Sequence, residues 1–458
     1  MDEALKASLH KLGLSLSSVL LPAPHVDLEK WAVVACDQYT SQHEYWKDAE
    51  NTVKDAPSTL GLIFPEVYLE TEDEDKKADR IKAIQAKMKN YLENGLFNEL
   101  NDTLILTRRS FATGTTRHGL VLSVDLEHYD FKPGSQTPVR ATEGTIVERL
   151  PPRIRVRQGA PIELPHIMLL IDDSRRSVIE PLIEKAQQKA PAYDFDLMKN
   201  GGRLTGWAFD DKESLGSVIS ALEQLSDSEE FRKRHGVNGD KGVLLYAAGD
   251  GNHSLATAKA CWEELKKTLS KGEQEAHPAR YALVEVVNVH DQGLFFEPIH
   301  RVVFKVDPKK LIEAFINYYS KIGCICYLTS EEAANEAAAE GSTPSFVRKH
   351  FIPFVSGNKK GCLVVENPPV QLEVGTLQKF LDDYLPGISG AYVDYVHGRD
   401  VTEQLGSMEG NIGFFLPSMD KNDLFHTVVL DGALPRKTFS MGEAHEKRFY
   451  FEARKIAY

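Results

Sequence analysis

The sequence predicts an α/β or α+β protein with mixed β-sheets, flanking helices and a two-domain architecture. Three observations lead there. Short apolar runs of strand length alternate with amphipathic helical stretches, as in VLLYAA at 243–248 and LATAKACWEEL at 255–265. The chain has 458 residues, more than one ordinary core holds. A polar junction bounded by glycine, GDGNHS at 249–254, joins that strand to that helix. The expected division is an N-terminal α+β region, 1–235, and a C-terminal α/β region, 236–458, which carries the junction. The charged break at 232–241 marks the boundary.

In chain order, WAVVAC at 31–36 reads as a buried strand that ends in the polar cluster Asp37-Gln38-Tyr39-Thr40-Ser41. Residues 74–94 form an amphipathic helix, with Gly95 as its stop. Strands are expected at 103–107, 119–125 and 145–150, with a basic loop, RRSFATGTTRH, at 108–118. Arg140, Arg149, Arg153, Arg155 and Arg157 crowd one stretch, and alternation at 153–157 predicts three arginines on one side of a strand. A strand at 165–173 ends in acids, and helices follow at 178–190 and 212–234. Beyond the junction, 280–290 is an apolar strand. The run 294–304 is broken by Pro298-Ile299-His300-Arg301, either a buried ion pair or part of a site. Helices at 308–321 and 377–385 alternate with strands at 361–365 and 425–429. An alanine-rich helix at 331–340 has Ser330 as cap and Gly341 as stop.

Lys and Arg number 54 and Asp and Glu 67, a net charge of −13. That field opposes general binding to nucleic acid or to an anionic membrane surface. No apolar run spans a bilayer and no signal-peptide core is present, so a cytoplasmic location is expected. Five cysteines fit a reducing compartment, and Cys324 and Cys326 read as alternating strand cysteines without a second ligand pair.

At the junction, Asp250, Asn252, His253 and Ser254 place four polar side chains where a helix begins. The first amides of that helix and the positive end of its dipole suit an anion. Taken singly, Asn252 or Ser254 is equally a helix cap, Asp250 a turn residue and His253 a core-edge histidine. Near the end of the chain, Arg436, Lys437, Thr438 and Ser440 pack donors into five positions, suited to a phosphate or carboxylate, or else a solvated basic turn.

GDGNHSLATAKA, EPIHRVV and LPRKT together resemble the bacterial and archaeal family DUF1015, a domain of unknown function. That family carries an Asp-Gly-His-His-Arg motif opening a helix, a Pro-x-His-Arg segment and a Pro-x-Lys-Ser/Thr segment. Here Asn252 stands for the first His and Ser254 for the Arg. The short motif also resembles that of ParB/sulfiredoxin-like proteins, including kinases of free serine. The resemblance implies a small-molecule phosphotransferase with a nucleotide or pyrophosphate donor and Mg²⁺. Asp250 would act as base or metal ligand, with His253 beside it as catalytic partner. Asn252, Ser254, Arg140, His300, Arg301, Arg436 and Lys437 would hold phosphate, and Asp37, Thr40 and Glu143 the substrate. The expected partners are a small-molecule substrate and its phosphate donor. No G-x-x-x-x-G-K-S/T is present, which excludes a P-loop enzyme. A dinucleotide enzyme fits GDGNHS poorly, and a non-catalytic binder of a phosphorylated metabolite is the alternative.

Overall fold

The computed structural model describes residues 3–40, 42–69, 71–132, 134–145, 147, 150–340 and 348–458, with side chains omitted at 336–340. Two compact units divide the chain: Met1–Phe295 with Met441–Tyr458, and Phe296–Ser440.

The first unit is built on a mixed sheet. Its strands are β1 (Leu104–Ser110), β2 (Thr116–Asp125), β3 (Tyr129–Asp130), β4 (Val139–Ala141), β5 (Met168–Ile171), β6 (Tyr193–Asp196), β7 (Arg203–Phe209), β8 (Tyr246–Asp250) and β9 (Tyr281–Asn288). Across the sheet the order is β6-β7-β1-β2-β9-β5-β8-β4-β3, and Leu14–Ser15 adds to β2. The pairs β5/β9, β4/β8 and β3/β4 are parallel and the rest antiparallel. Both faces are covered, as a sheet apolar on both sides requires. Leu104 and Leu106 of β1, Leu120 and Leu122 of β2 and Val284 of β9 enter one core, while Ile105, Val121 and Leu283 enter the other. That split is the two-residue period of a strand. The first core is closed by α2 (Lys212–Leu225) and α3 (Asn252–Leu265), through residues such as Leu222, Leu255 and Trp262. The second is closed by Glu74–Glu93 and by the returning segment, where Phe449–Tyr450 pairs with Val33–Val34.

The second unit has an antiparallel sheet of β10 (Phe296–Phe304), β11 (Ile325–Thr329), β12 (Lys349–Ser356), β13 (Lys359–Glu366), β14 (Tyr392–His397) and β15 (Ile412–Phe414), in the order β11-β13-β12-β15-β10-β14. Phe315, Tyr319, Leu377 and Phe380, from helices Pro308–Lys321 and Glu373–Tyr384, fill its core. No helix among the described residues is long and apolar enough to cross a membrane.

The mixed sheet with flanking helices matches the expected fold class. Several local expectations are corrected. The boundary expected near residue 235 falls inside the first unit, because β8 pairs with β4 and β5 of the same sheet. Residues 153–157 are part of helix α1 (Leu150–Arg157) and not a strand. Pro151 and Pro152 preset the φ of its first turn. Its arginines then diverge at about 100° per residue, Arg153 to Glu66, Arg155 to Glu74 and Arg157 to Glu163. Residues 425–429 lie in helix Asp423–Asp431, whose buried Leu424, Phe425, Val428 and Val429 follow helical spacing. The stretch 212–234 is two helices, the second (Ser228–His235) capped by Asp227. The basic loop at 108–118 is mostly hairpin: β1 and β2 continue through it, with Arg109 opposite Arg117. Arg149, Ser41, Gly341 and half of the strand expected at 145–150 lie outside the described residues.

Candidate functional site

The junction forms where β8 ends at Asp250 and α3 starts at Asn252. Gly251 between them has φ +73, and a Cβ there would sit 2.9 Å from the Ile167 Cα. Only glycine meets both conditions. Asn252 does not cap the helix. Its Nδ2 donates back to the Ala248 carbonyl at 3.0 Å, which Thr142 Oγ1 also approaches at 2.6 Å. Asn252 Oδ1 is buried and accepts nothing, an orphaned acceptor beside the turn. The opening turn of α3 has no side-chain cap, and its first amides have no partners within the helix.

Asp250 Oδ1 accepts from the Gly251 amide at 2.9 Å, and Oδ2 faces Lys447 Nζ at 3.1 Å. Lys447 comes from the returning segment and is nearly buried. Ser254 Oγ lies 3.0 Å from His166 Nε2, and His166 Nδ1 lies 2.9 Å from the Tyr450 hydroxyl. One proton assignment satisfies this chain. Ser254 O–H donates to Nε2, Nδ1–H to the Tyr450 oxygen, and Tyr450 O–H to Cys36 Sγ at 3.1 Å. Asp37 Oδ2 stands 3.8 Å from His166 Nε2. Burial, together with Glu66 and Asp37, pushes the Cys36 thiol up, so it is no thiolate nucleophile. The relay borders a cavity of about 150 Å³ with an apolar lining that includes Leu62, Phe64, Met88 and Leu283.

Of the residues singled out in the sequence, Asp250, Asn252, His253, Ser254 and Asp37 thus lie at or one histidine away from the turn. Thr40 is exposed and Glu143 half-buried, just beyond Thr142. Arg140 is buried and turned elsewhere: Nε donates to the Thr137 carbonyl at 2.7 Å and Nη2 to that of Gly242 at 2.6 Å. Burial pushes its pKa down to about 10. It pins the approach to β8 and is not a phosphate ligand in this arrangement. Arg140→Met is therefore expected to lower Tm by a few degrees, at about 1–3 kcal/mol for two stranded carbonyls. Phosphate-ligand affinity, read by calorimetry, should stay unchanged.

His300, Arg301, Arg436 and Lys437 belong to the second unit. Arg301 is wholly buried. It donates to Gln378 Oε1 at 3.1 Å, to the Ile299 and Lys437 carbonyls at 2.6 and 2.9 Å, and to the Arg436 carbonyl at 3.0 Å. Its guanidinium thereby holds the 436–437 turn by its backbone. Arg436 donates to the Tyr395 hydroxyl and to Asp382, and Lys437 is exposed. His300 Nδ1 accepts from the Leu416 amide at 3.1 Å. Burial first, then Arg399 and Arg301, pushes it down to about 4, so it brings no positive charge at neutral pH. His350, between Thr376 and the Gln371 carbonyl, is likewise pushed down to about 4, mainly by burial.

These two histidines set a pH dependence. Their folded pKa values lie below the unfolded value near 6.5, so the unfolded chain binds more protons between about pH 6.5 and 4. Stability falls as pH drops through that window, by roughly 3 kcal/mol per histidine. Urea titrations from pH 7 to 4 should show the loss, and His350→Gln should remove part of it.

Sequence reasoning missed His166, Lys447 and Tyr450. Among the described residues no three His, Cys, Asp or Glu side chains converge as a metal cage. Asp250 offers one carboxylate that already faces an ammonium, so the residues do not fit a resident metal ion.

A family model described as "Protein of unknown function (DUF1015)" matches residues 20–384. Among curated proteins nothing matches the chain. Among solved structures, a mutant free serine kinase in complex with AMP is 13% identical, covers 73% of this chain and 92% of its own, and has a TM-score of 0.39. A conserved hypothetical protein from Pyrococcus furiosus is 14% identical, with 72% and 90% covered and a TM-score of 0.34. C-terminally truncated SbnI from Staphylococcus aureus is 10% identical, with 70% and 82% covered and a TM-score of 0.33.

Proposed function

The chain belongs to the DUF1015 family, and within it we propose that this protein transfers a phosphoryl group to the hydroxyl of a small metabolite at the 249–254 turn. The observation that carries the reading is Lys447 Nζ, 3.1 Å from Asp250 Oδ2 at the uncapped start of α3. A cation, a carboxylate and a set of helix amides meet there. Phosphoryl transfer asks for little more than positioning and charge stabilisation.

Donor phosphates lie against the first amides of α3, with Asn252 and His253 beside them. Lys447 swings from Asp250 to the phosphate oxygens and stabilises the charge that builds on them. Asp250, released, accepts the proton of the attacking hydroxyl as its oxygen bonds to phosphorus and the bond to the leaving group breaks. Mg²⁺ enters as the chelate of the donor phosphates, part of the substrate. Ser254, held by His166 and Tyr450, orients the acceptor, whose body occupies the adjoining cavity. Neither Arg140 nor the second unit takes part in the transfer.

The test is ³¹P NMR of the purified protein with Mg²⁺, one hydroxyl compound and one donor at a time. Free serine is the first acceptor; ATP, ADP and pyrophosphate are the donors. A new phosphomonoester signal, phosphoserine in the first case, is expected. Absence of any product across donors and acceptors sinks the transfer reading. A second reading, binding of a phosphorylated metabolite without turnover, is favoured by one observation: Asp250 is already neutralised by Lys447. Saturable binding of phosphoserine, with no product in any mixture, would select it.

A further inference from the structure

A second electropositive place lies inside the first unit, formed by the hairpin that the sequence presented as a loop. Arg109 of β1 and Arg117 of β2 are cross-strand neighbours, and each is only 3% exposed. Two like charges opposite each other in a buried ladder destabilise unless something offsets them. Arg448 approaches from the returning segment and donates to Glu285 Oε2 at 2.7 Å and to Glu452 Oε2 at 2.8 Å. Both carboxylates are thereby engaged by Arg448, and Glu285 Oε1 also accepts from Thr107 Oγ1 at 2.7 Å.

The two remaining guanidiniums are poorly served. Arg109 donates to the His445 carbonyl at 3.1 Å, but its Nε is buried without a partner. Arg117 Nε is also buried without a partner. Arg117 meets the charge of Glu285 and a ring face: Phe111 lies under both guanidiniums and Phe449 under that of Arg109. Burial first, then Arg117, pushes Arg109 down to about 9. Glu446, the next carboxylate outward, is half-buried and takes the Glu443 amide at 2.9 Å. Among the fully buried groups, Arg109, Arg117 and Arg448 thus face Glu285 and Glu452, an excess of one positive charge, while the half-buried Glu446 acts on Arg109 from outside. Between them is a cavity of about 10 Å³, bounded by the three arginines and Glu285 together with Thr107, Leu204 and Phe449. That volume is about what one water-sized particle needs.

We propose that this cavity binds a single monatomic anion, a halide such as chloride, held between the Arg109 and Arg117 guanidiniums. The ion neutralises the excess charge and accepts from the donors that no protein atom satisfies. It is independent of the phosphate reading, since none of these residues takes part in the turn at 249–254.

Two measurements on the full chain test it. Melting is followed in chloride, bromide or gluconate at constant ionic strength. Binding to the folded state alone raises Tm, so a saturable rise of about 2 °C is expected in either halide and none in gluconate. Crystals soaked in bromide should give an anomalous peak between Arg109 and Arg117. Arg117→Met should abolish the halide-dependent rise. If that variant fails to fold, the wild-type melts and the bromide peak decide alone. Equal Tm in all three salts, with or without a peak, overturns the proposal, as does a water molecule at that position in bromide-soaked crystals.

Discussion

Lys447→Met is expected to lower the rate of phosphoryl transfer by about 10²–10³-fold, the usual cost of removing one preorganised donor to transition-state charge. The side chain is nearly buried and faces Asp250 Oδ2 at 3.1 Å. Methionine keeps its length and removes its charge. Asp250→Asn should cause a loss of similar size by a different route, through the missing proton acceptor. If the protein only binds, both variants still act: Lys447→Met weakens phosphate-ligand affinity, whereas Asp250→Asn leaves it intact or tightens it by removing a negative charge. Equal activity of Lys447→Met and wild type, in a folded sample, would remove the 249–254 turn as the site.

Arg448→Met should strongly destabilise the first unit. Burial by itself would pull the Arg448 guanidinium down, but Glu452 and Glu285 more than offset this and hold it above the ordinary arginine value. Glu285 is wholly enclosed, and burial alone would raise it; Arg448 and then Arg117 hold it below its ordinary value. Glu452 also receives the Tyr193 hydroxyl at 2.5 Å. Removing the arginine strands two interior carboxylates. Breaking a buried pair costs about 3–5 kcal/mol, or a Tm lower by roughly 6–10 °C. The double variant Arg448→Met with Glu285→Gln should recover part of that loss, and the cycle of four melts gives the coupling. The space for this network is made by Gly119, where a Cβ would lie 2.4 Å from Glu285 Oε1.

How far the sequence spoke for itself depended on whether a feature was local. The strand–glycine–helix junction was legible because everything that makes it, an apolar run, two glycines and an amphipathic helix, is contiguous. The same holds for the long helix at residues 74–93. His166 was passed over because PHIMLLIDD has the look of an ordinary buried strand, and its partners Ser254 and Tyr450 lie far away in the chain. Lys447 and Tyr450 sit in EKRFYFEARK, where charged and apolar residues interleave. That pattern is the one available hint of charge taken into a core. Arg301 and Arg140 show the opposite error. Arginines in an acidic chain suggested anion binding, but both spend their donors on backbone carbonyls. The R-I-R-V-R run was misread since period-two alternation over five residues does not exclude a helix once two prolines precede it.

The returning segment has a consequence for how the protein is made. Trp31 Nε1 donates to the Phe451 carbonyl, Leu20 bridges to Ala453, and Arg454 pairs with Glu163. All of these, with Lys447 and Tyr450, reach the first unit only after Phe296–Ser440 has been synthesised. At about 5–20 residues per second, those intervening residues occupy a ribosome for roughly seven to thirty seconds. Through that interval the nascent first unit waits with an open seam along Val33–Val34 and without the ammonium that faces Asp250. A chaperone that shields this seam during translation would act on the one stage at which the N-terminal part is made but cannot yet close.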